Sequence, residues 1–327
     1  MHTIHTHIPG FPCGGAARVG QSLRARHWAL QKAAGLDWVS VGDSDEQVAH
    51  HIALLGCVPA RCADLTAWAR RRALAGADDA VHGLERRPWF DTDAHYLVPE
   101  FTPATVFSLA CERLFEEVGA ARALGHAVKT VLLGPLTFLW LGKAAGFERL
   151  ALLEQLLPVY GALLDRLKHM QVEWVQIDEP ILGLDLPPDW RNAYERVYWQ
   201  LNQVGVKLML ATYFAPLKAN LGLACRLPVA GLHIDGVRAA HEIHSVHDWL
   251  PSHKVLSVGI VDGRDSGRGD RDAALAMLAP LLDRRDQLWL ASSCSLRHLP
   301  PGLVREKLAE LAWLKQALEG GGTRIAA

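Results

Sequence analysis

The stretch Val172 to Pro180, VEWVQIDEP, constrains this chain more than any other. Val172, Trp174, Val175 and Ile177 form a run too short for a helix and apolar enough for a strand buried on both faces. It stops at two adjacent carboxylates, Asp178 and Glu179, and at a proline that cannot continue a ladder. The design recurs: KTVLLGP, KLMLATYF, GLHIDG, VLSVGIVDG and QLWLASSCSL are apolar runs with polar tips, and DWVSVGD and HYLVPEF read the same way. Stretches with helical spacing or shorter crossovers separate them, with helices expected near 22–34 (closed by Gly35), 46–55, 65–85, 103–125, 147–171, 189–204, 239–250, 272–284 and 303–319.

Strict alternation of strand and helix, with strands apolar throughout, implies a parallel sheet covered on both faces. Eight or nine such strands in 327 residues fit a closed (β/α)8 TIM barrel better than an open sheet. No GxGxxG follows the first full strand and no GxxxxGK[ST] occurs, which argues against dinucleotide and phosphate-loop folds. One barrel domain is expected over 1–327, with 1–35 as a lead-in through a Gly-Pro-rich loop and 320–327 as a frayed tail.

Lys plus Arg (34) and Asp plus Glu (35) nearly cancel, so no long-range field favours nucleic acid or an anionic membrane. The six cysteines are scattered without a CxxC pair, as in a reduced compartment. No leader pattern opens the chain, and no apolar run approaches the ~18 residues of a membrane helix. A soluble cytoplasmic protein with no nucleic-acid or membrane partner is expected.

In a barrel of this kind chemistry sits at the C-terminal strand ends. Those ends read Gly42-Asp43, Pro99-Glu100, Gly134-Pro135, Asp178-Glu179, Tyr213, His233 to Asp235, Asp262 and Ser292-Ser293-Cys294. The candidate ligand-binding residues are therefore Asp178, Glu179, Tyr213, His233, Asp235, Arg264, Ser293 and Cys294, for a small-molecule ligand. The carboxylate pair suits an ammonium group or general-base work, or else an ion pair with a barrel arginine such as Arg264 or Arg297. Arg264, permanently charged, cannot act as a general acid or base at neutral pH. Asp178, Glu179 and Arg264 are expected within a few ångströms of one cavity.

Taken in order, GFP near the start, RARHWALQKAAGLDWVSVGD, HYLVPEF, VLLGPLTFLWLGK, EWVQIDEP, ATYF, PVAGLHIDG, GIVDGR and LWLASSCSL resemble the N-terminal barrel of cobalamin-independent methionine synthase. The resemblance runs over nearly the whole chain and implies a TIM barrel of the methionine synthase/uroporphyrinogen decarboxylase-like type. The family enzyme is a double barrel. Its C-terminal half holds zinc and homocysteine and carries methyl transfer from methyltetrahydrofolate, while the N-terminal half lends contacts to the folate's polyglutamate tail.

Departures from the family pattern carry information too. The Arg-Glu-Leu-Lys segment after GFP is replaced by Cys13-Gly14-Gly15-Ala16-Ala17 and Arg18, the lysine before Trp-Phe by Pro88, and an aromatic run by Ser44-Asp45-Glu46. Laid onto the catalytic barrel, its His-x-Cys falls at Ala211 and Tyr213, its Glu near His233 or Asp235, its last Cys at Cys294 and its loop histidine at Arg264. No tightly bound cofactor is expected; zinc and methyltetrahydrofolate enter only through the resemblance, with His233, Asp235 and Cys294 as weak metal candidates. Elsewhere, His27-Trp28 with Lys32 reads as a solvated helix face with a buried Trp, and His50-His51 as surface. His241, His244 and His247 share a helix away from the tips, and the 11 tryptophans read as core.

Three functions follow. The chain is a half-enzyme of folate-linked methyl transfer and methionine biosynthesis needing a separate zinc barrel; or a stand-alone barrel for a different amino-acid-like ligand; or a non-catalytic remnant. A partner barrel or a homo-oligomer would cover the face that the second barrel covers in the family.

Overall fold

The computed structural model describes residues 3–11, 21–43, 47–62, 83–267, 269–285 and 287–320. Eight parallel strands follow one another around a barrel: β1 Thr3–Thr6, β2 Val39–Val41, β3 Val128–Leu133, β4 Trp174–Asp178, β5 Lys207–Ala211, β6 Gly231–Asp235, β7 Val255–Val261 and β8 Gln287–Ser292. Ladders run from β2 through to β8, and β8 pairs with β1, Thr3 opposite Gln287. Asp37 bridges the remaining seam: its N–H donates to the Thr6 carbonyl (3.1 Å) and its Oδ2 accepts the Thr6 N–H (2.7 Å). The barrel expected from the alternation is the barrel found.

The helices cover the strands by the spacing that sequence dictates. In Leu153–His169, the residues Leu153, Leu156, Leu157, Tyr160, Leu163, Leu164 and Leu167 are buried, a stripe at intervals of three and four. Arg166, Lys168 and His169 in its last turn complement the carbonyl end of the helix dipole. The helices expected near 22–34, 189–204, 272–284 and 303–319 appear as Gln21–Ala33, Pro188–Asn202, Arg271–Leu282 and Pro301–Gly320. Gly35, at φ +83°, supplies the left-handed turn that ends the first of them.

Three expectations are corrected. HYLVPEF is not a barrel strand: His95–Leu97 pairs antiparallel with Arg86–Pro88, and Glu100–Phe101 pairs with Lys143–Ala144 outside the barrel. Its run is apolar enough for a strand, but its backbone partners, Arg86–Pro88 and Lys143–Ala144, lie outside the barrel wall. The helix expected from 103 begins at Arg113, after an extended stretch whose Ser108 and Ala110 N–H groups donate to Leu55 and Leu54. The lead-in expected over 1–35 already holds a barrel strand, β1. The expected helix 65–85 lies almost wholly outside the described residues.

Inside the barrel the side chains form layers. Trp174 opens β4, Val255 opens β7 and Trp38 precedes β2, so the cluster they form with Trp289 and Met209 plugs the N-terminal end. The ring centroids of Trp38 and Trp289 are 4.3 Å apart, those of Trp174 and Trp289 4.6 Å. Above this floor the interior turns polar. No helix among the described residues is long and apolar enough to cross a membrane.

Candidate functional site

β4 sends its two carboxylates to opposite sides. Side chains alternate along a strand, so Trp174, Gln176 and Asp178 face the barrel axis, while Val175, Ile177 and then Glu179 face the helices.

Asp178 is buried at the mouth. Its Oδ1 accepts from Gln176 Nε2 (2.7 Å); its Oδ2 accepts from the Tyr213 hydroxyl (3.1 Å) and Gln47 Nε2 (3.2 Å). Gln176 also donates to the Pro9 carbonyl (3.0 Å) and accepts from Lys129, whose Nζ donates as well to the Ile8 carbonyl (2.9 Å). Burial raises the Asp178 carboxyl above its ordinary range and lowers the Lys129 ammonium, and the attraction between the two groups works against both shifts. Arg297 lies on the outer side, its Nη1 3.5 Å from Gln47 Oε1 and 3.8 Å from Asp43 Oδ1, with its guanidinium 5.3 Å over the Trp89 ring. A cavity of about 200 Å³ lies between Gln47, Val48, Trp89, His95, Tyr96 and Arg297.

Glu179 does different work. Its Oε2 accepts from Thr137 Oγ1 (2.5 Å), Thr137 N (2.8 Å) and Tyr194 (3.3 Å), and its Oε1 from Leu136 N (3.2 Å) and Tyr198 (3.4 Å). It ties β4 to the start of the helix Pro135–Leu141, satisfying two N–H groups that have no partner within the helix. Gly134 makes this approach feasible, since a Cβ there would sit 2.1 Å from Glu179 Oε1. Burial pushes the Glu179 carboxyl up to about 7 against these five donors.

A second polar layer lies deeper. Ser257 Oγ stands between His7 Nε2 (2.7 Å) and His233 Nδ1 (2.8 Å). Burial, with the Lys129 charge nearby, lowers His233 to about 3 and holds His7 well below its ordinary value, so both rings are neutral.

The other candidates build loops. Asp235 accepts from Arg238 N (2.9 Å), Val237 N (3.0 Å) and Phe214 N (3.1 Å), and meets Arg238 Nη1 at 3.6 Å. Ser293 Oγ accepts from Gly263 N (3.1 Å). Cys294 is fully buried, its Sγ 3.7 Å from the Ser295 carbonyl, and burial raises the thiol to about 12, so at neutral pH it is not a thiolate. Among the described residues no three His, Cys, Asp or Glu side chains gather as a metal ion needs. With Ala211 and Tyr213 in place of two donors and His233 turned to Ser257, these residues do not fit a tetrahedral zinc site.

The expected convergence of Asp178, Glu179 and Arg264 is corrected. Arg264 grips Asp91 instead, Nη1 to Oδ1 at 2.9 Å and to Oδ2 at 3.0 Å, with Nη2 donating to the Asp91 carbonyl at 2.8 Å. It stands two residues past Asp262, in a loop turned toward the ribbon, whereas Asp178 points down the axis. His51 is also corrected: it is buried, its Nδ1 2.9 Å from the Gln47 carbonyl and its Nε2 accepting from Leu133 N (2.9 Å), which braces the helix Gln47–Leu54 against β3. Trp28 is buried as expected, but Trp199 and Trp249 are exposed. Of the three histidines assigned to one helix, His241 sits in a preceding turn and His247 is buried against the Leu281 carbonyl (3.2 Å). The departures at 13–18 and 44–46 lie outside the described residues.

Sequence reasoning missed Gln47, Lys129, Gln176 and Trp89. A lysine and a glutamine inside the apolar runs of β3 and β4 were the available signal, because an uncompensated polar group in a buried strand is costly and must have a partner.

Solved barrels share this architecture. A B12-independent methionine synthase from Shewanella sp. W3-18-1, in complex with selenomethionine, aligns at TM-score 0.69 and 14% identity over 96% of this chain and 98% of its own. A methyltransferase from Methanosarcina mazei aligns at TM-score 0.60 and 12% identity over 92% and 86%. A putative vitamin-B12-independent methionine synthase from Listeria monocytogenes aligns at TM-score 0.57 and 11% identity over 93% and 87%. At these identities the likeness is one of fold. The sequence itself carries the family assignment: residues 16–286 match the N-terminal domain of cobalamin-independent synthase, and the chain belongs to that family.

Proposed function

We propose that this chain serves cobalamin-independent methionine synthesis as a barrel that binds and positions, while methyl transfer takes place on a separate zinc-bearing barrel of the same family. The observation that carries this is the match to the N-terminal domain over 16–286, joined to strand tips whose polar groups are engaged within the protein and, among the described residues, no metal-holding cluster. Methyltetrahydrofolate and homocysteine are the substrates of that joint system, and the cytoplasm is where it operates. The chain's own contribution is the mouth: Asp178 held by Gln176, Tyr213 and Gln47, with Arg297 beside it. Such a site orients an ammonium or carboxylate by charge-assisted bonds and moves no methyl group itself.

The test is reconstitution. Purified chain with homocysteine, methyltetrahydrofolate and zinc should form no methionine; adding a separately expressed zinc barrel of the family should give turnover that rises with this chain's concentration. Methionine formed by the chain alone overturns the proposal.

A second reading has its own support. The Shewanella structure is a single barrel of nearly this length, solved with selenomethionine, and the cavity of about 200 Å³ beside Gln47 and Arg297 has room for a free amino acid. On this reading the chain binds such a ligand alone. Calorimetric titration with L-methionine and L-homocysteine, without a second protein, separates the two readings.

A further inference from the structure

The antiparallel ribbon Arg86–Leu97 crosses the barrel mouth without joining the barrel sheet. Its strands pair only with each other, Arg86 opposite Leu97 and Pro88 opposite His95. Its turn closes on itself through Trp89 N to the Ala94 carbonyl (2.7 Å) and Thr92 Oγ1 to the Trp89 carbonyl (2.6 Å). The far rim is reached at two points. Phe90 lies 5.8 Å from Phe214, just past β5, and Asp91 is gripped by Arg264, just past β7.

Both aromatic residues at that contact carry left-handed backbone, Phe90 at φ +52° and Phe214 at φ +75°. Bulky residues adopt this region only when surrounding structure enforces it, and such residues gather at clamps and switches. The enforcing contact is weak. Asp91 is 64% exposed, so water and salt screen its pair with Arg264. Closure nevertheless decides what the mouth offers: Phe214 packs 4.7 Å from Tyr213, whose hydroxyl holds Asp178, and with the ribbon in place Asp178 is 3% and Tyr213 5% exposed. The cavity lies between this ribbon, the helix Gln47–Leu54 and Arg297, and the indole N–H of Trp89, which lines it, is buried without an acceptor among the described residues.

We infer that the ribbon Arg86–Leu97 is a strap over the barrel mouth, latched by Arg264 on Asp91 and closed in this structure, and that Asp178, Tyr213 and Gln47 meet a ligand only when it opens. The strap gates entry to the mouth whichever ligand the barrel takes. Opening breaks the Arg264–Asp91 pair and the Phe90–Phe214 contact, draws Trp89 from under the Arg297 guanidinium and parts the Tyr96 hydroxyl from the Leu141 carbonyl, while the barrel ladders stay intact.

Hydroxyl-radical footprinting of the full chain, read by mass spectrometry, tests this. Asp91→Ala and Arg264→Ala should raise oxidation of Tyr213 and Phe214 by roughly threefold or more. Trp174 and Trp289 in the floor should stay at wild-type levels in the same digests. High salt should produce the same pattern in the unaltered protein, a measurement that depends on no variant folding correctly. Oxidation of Tyr213 and Phe214 that stays unchanged in both variants and in salt makes the ribbon a fixed cover. A rise that includes the floor tryptophans makes it a general brace. Either result overturns the inference.

Discussion

The floor and the mouth of this barrel grow from the same strands and are held by opposite means. At the floor, Trp38, Trp174 and Trp289 pack against Met209 and Val255, and stability there scales with apolar area and close contact. At the mouth, Asp178 alone is held by three side-chain donors. Replacing a floor residue removes contacts outright. Replacing a mouth residue strands partners that still have other bonds to make. A barrel divided this way can change its ligand chemistry at one end without losing the packing at the other.

The largest expected effect lies in the floor. Trp289 is 1% exposed, and Trp289→Ala leaves a cavity that Trp38 and Trp174 cannot fill, at about 3–5 kcal/mol. Urea unfolding at neutral pH measures it. A loss as large as that from Asp178→Asn would break the comparison.

Next comes Glu179, which sits at the mouth in sequence but behaves like core. Its folded pKa of about 7 stands above the 4.5 of an ordinary glutamate, so its contribution is full below pH 4.5 and is lost as pH rises to about 7, by roughly 3 kcal/mol. His51 at about 4 and His233 at about 3 act in the other direction: held neutral below their ordinary 6.5, they contribute fully above that pH and lose it as pH falls. The two trends oppose each other between 4.5 and 6.5, so wild type alone does not display either. Glu179→Gln removes one of them. Its stability deficit against wild type should narrow by about 3 kcal/mol between about pH 4.5 and pH 7.5. A deficit that stays constant across that window would sink the assignment.

Asp178→Asn should cost about 1–3 kcal/mol, because the new amide N–H₂ faces groups that are themselves donors. This is less than stranding a buried arginine would cost, about 3–5 kcal/mol, since Arg264 belongs to Asp91. A thermal melt beside wild type decides between the two figures. If the second reading of function holds, the same variant also loses any shift that L-methionine gives wild type.

Much of this architecture was legible in the sequence, and the failures have a physical pattern. Runs such as KLMLA and GLHID announce strands because a strand buried on both faces has no polar side to offer. HYLVPEF misled because its short apolar run is divided between a ribbon strand and a two-residue pairing with Lys143–Ala144, and composition alone does not tell either from a strand of the wall. The opposite fates of Asp178 and Glu179 follow from two-residue alternation and were available in VEWVQIDEP itself, though the pair was treated as one unit. The Arg264–Asp91 contact spans 173 positions and leaves no local trace. Nor could spacing say that Gln47, from the helix after β2, would close the coordination of a carboxylate on β4.

The smallest expected change in stability sharpens the comparison most. Asp91→Ala removes a surface ion pair whose acid is 64% exposed, and such pairs contribute about 0–1 kcal/mol. The floor stays intact, and so do the ladders and the Asp178 donors, so the urea midpoint should move little. If loss of the latch lets the strap move, the variant should instead exchange the backbone amides of Trp89 and Thr92 faster than wild type while those of β4 keep pace with it. These amides are bonded within the ribbon, and local opening exposes them without global unfolding. Hydrogen exchange read by mass spectrometry separates the outcomes. Faster exchange confined to 86–97 makes the mouth a region whose cover moves on a rigid floor. A midpoint shift as large as that of Trp289→Ala would mean instead that the ribbon is part of the core, and the division between floor and mouth would fail.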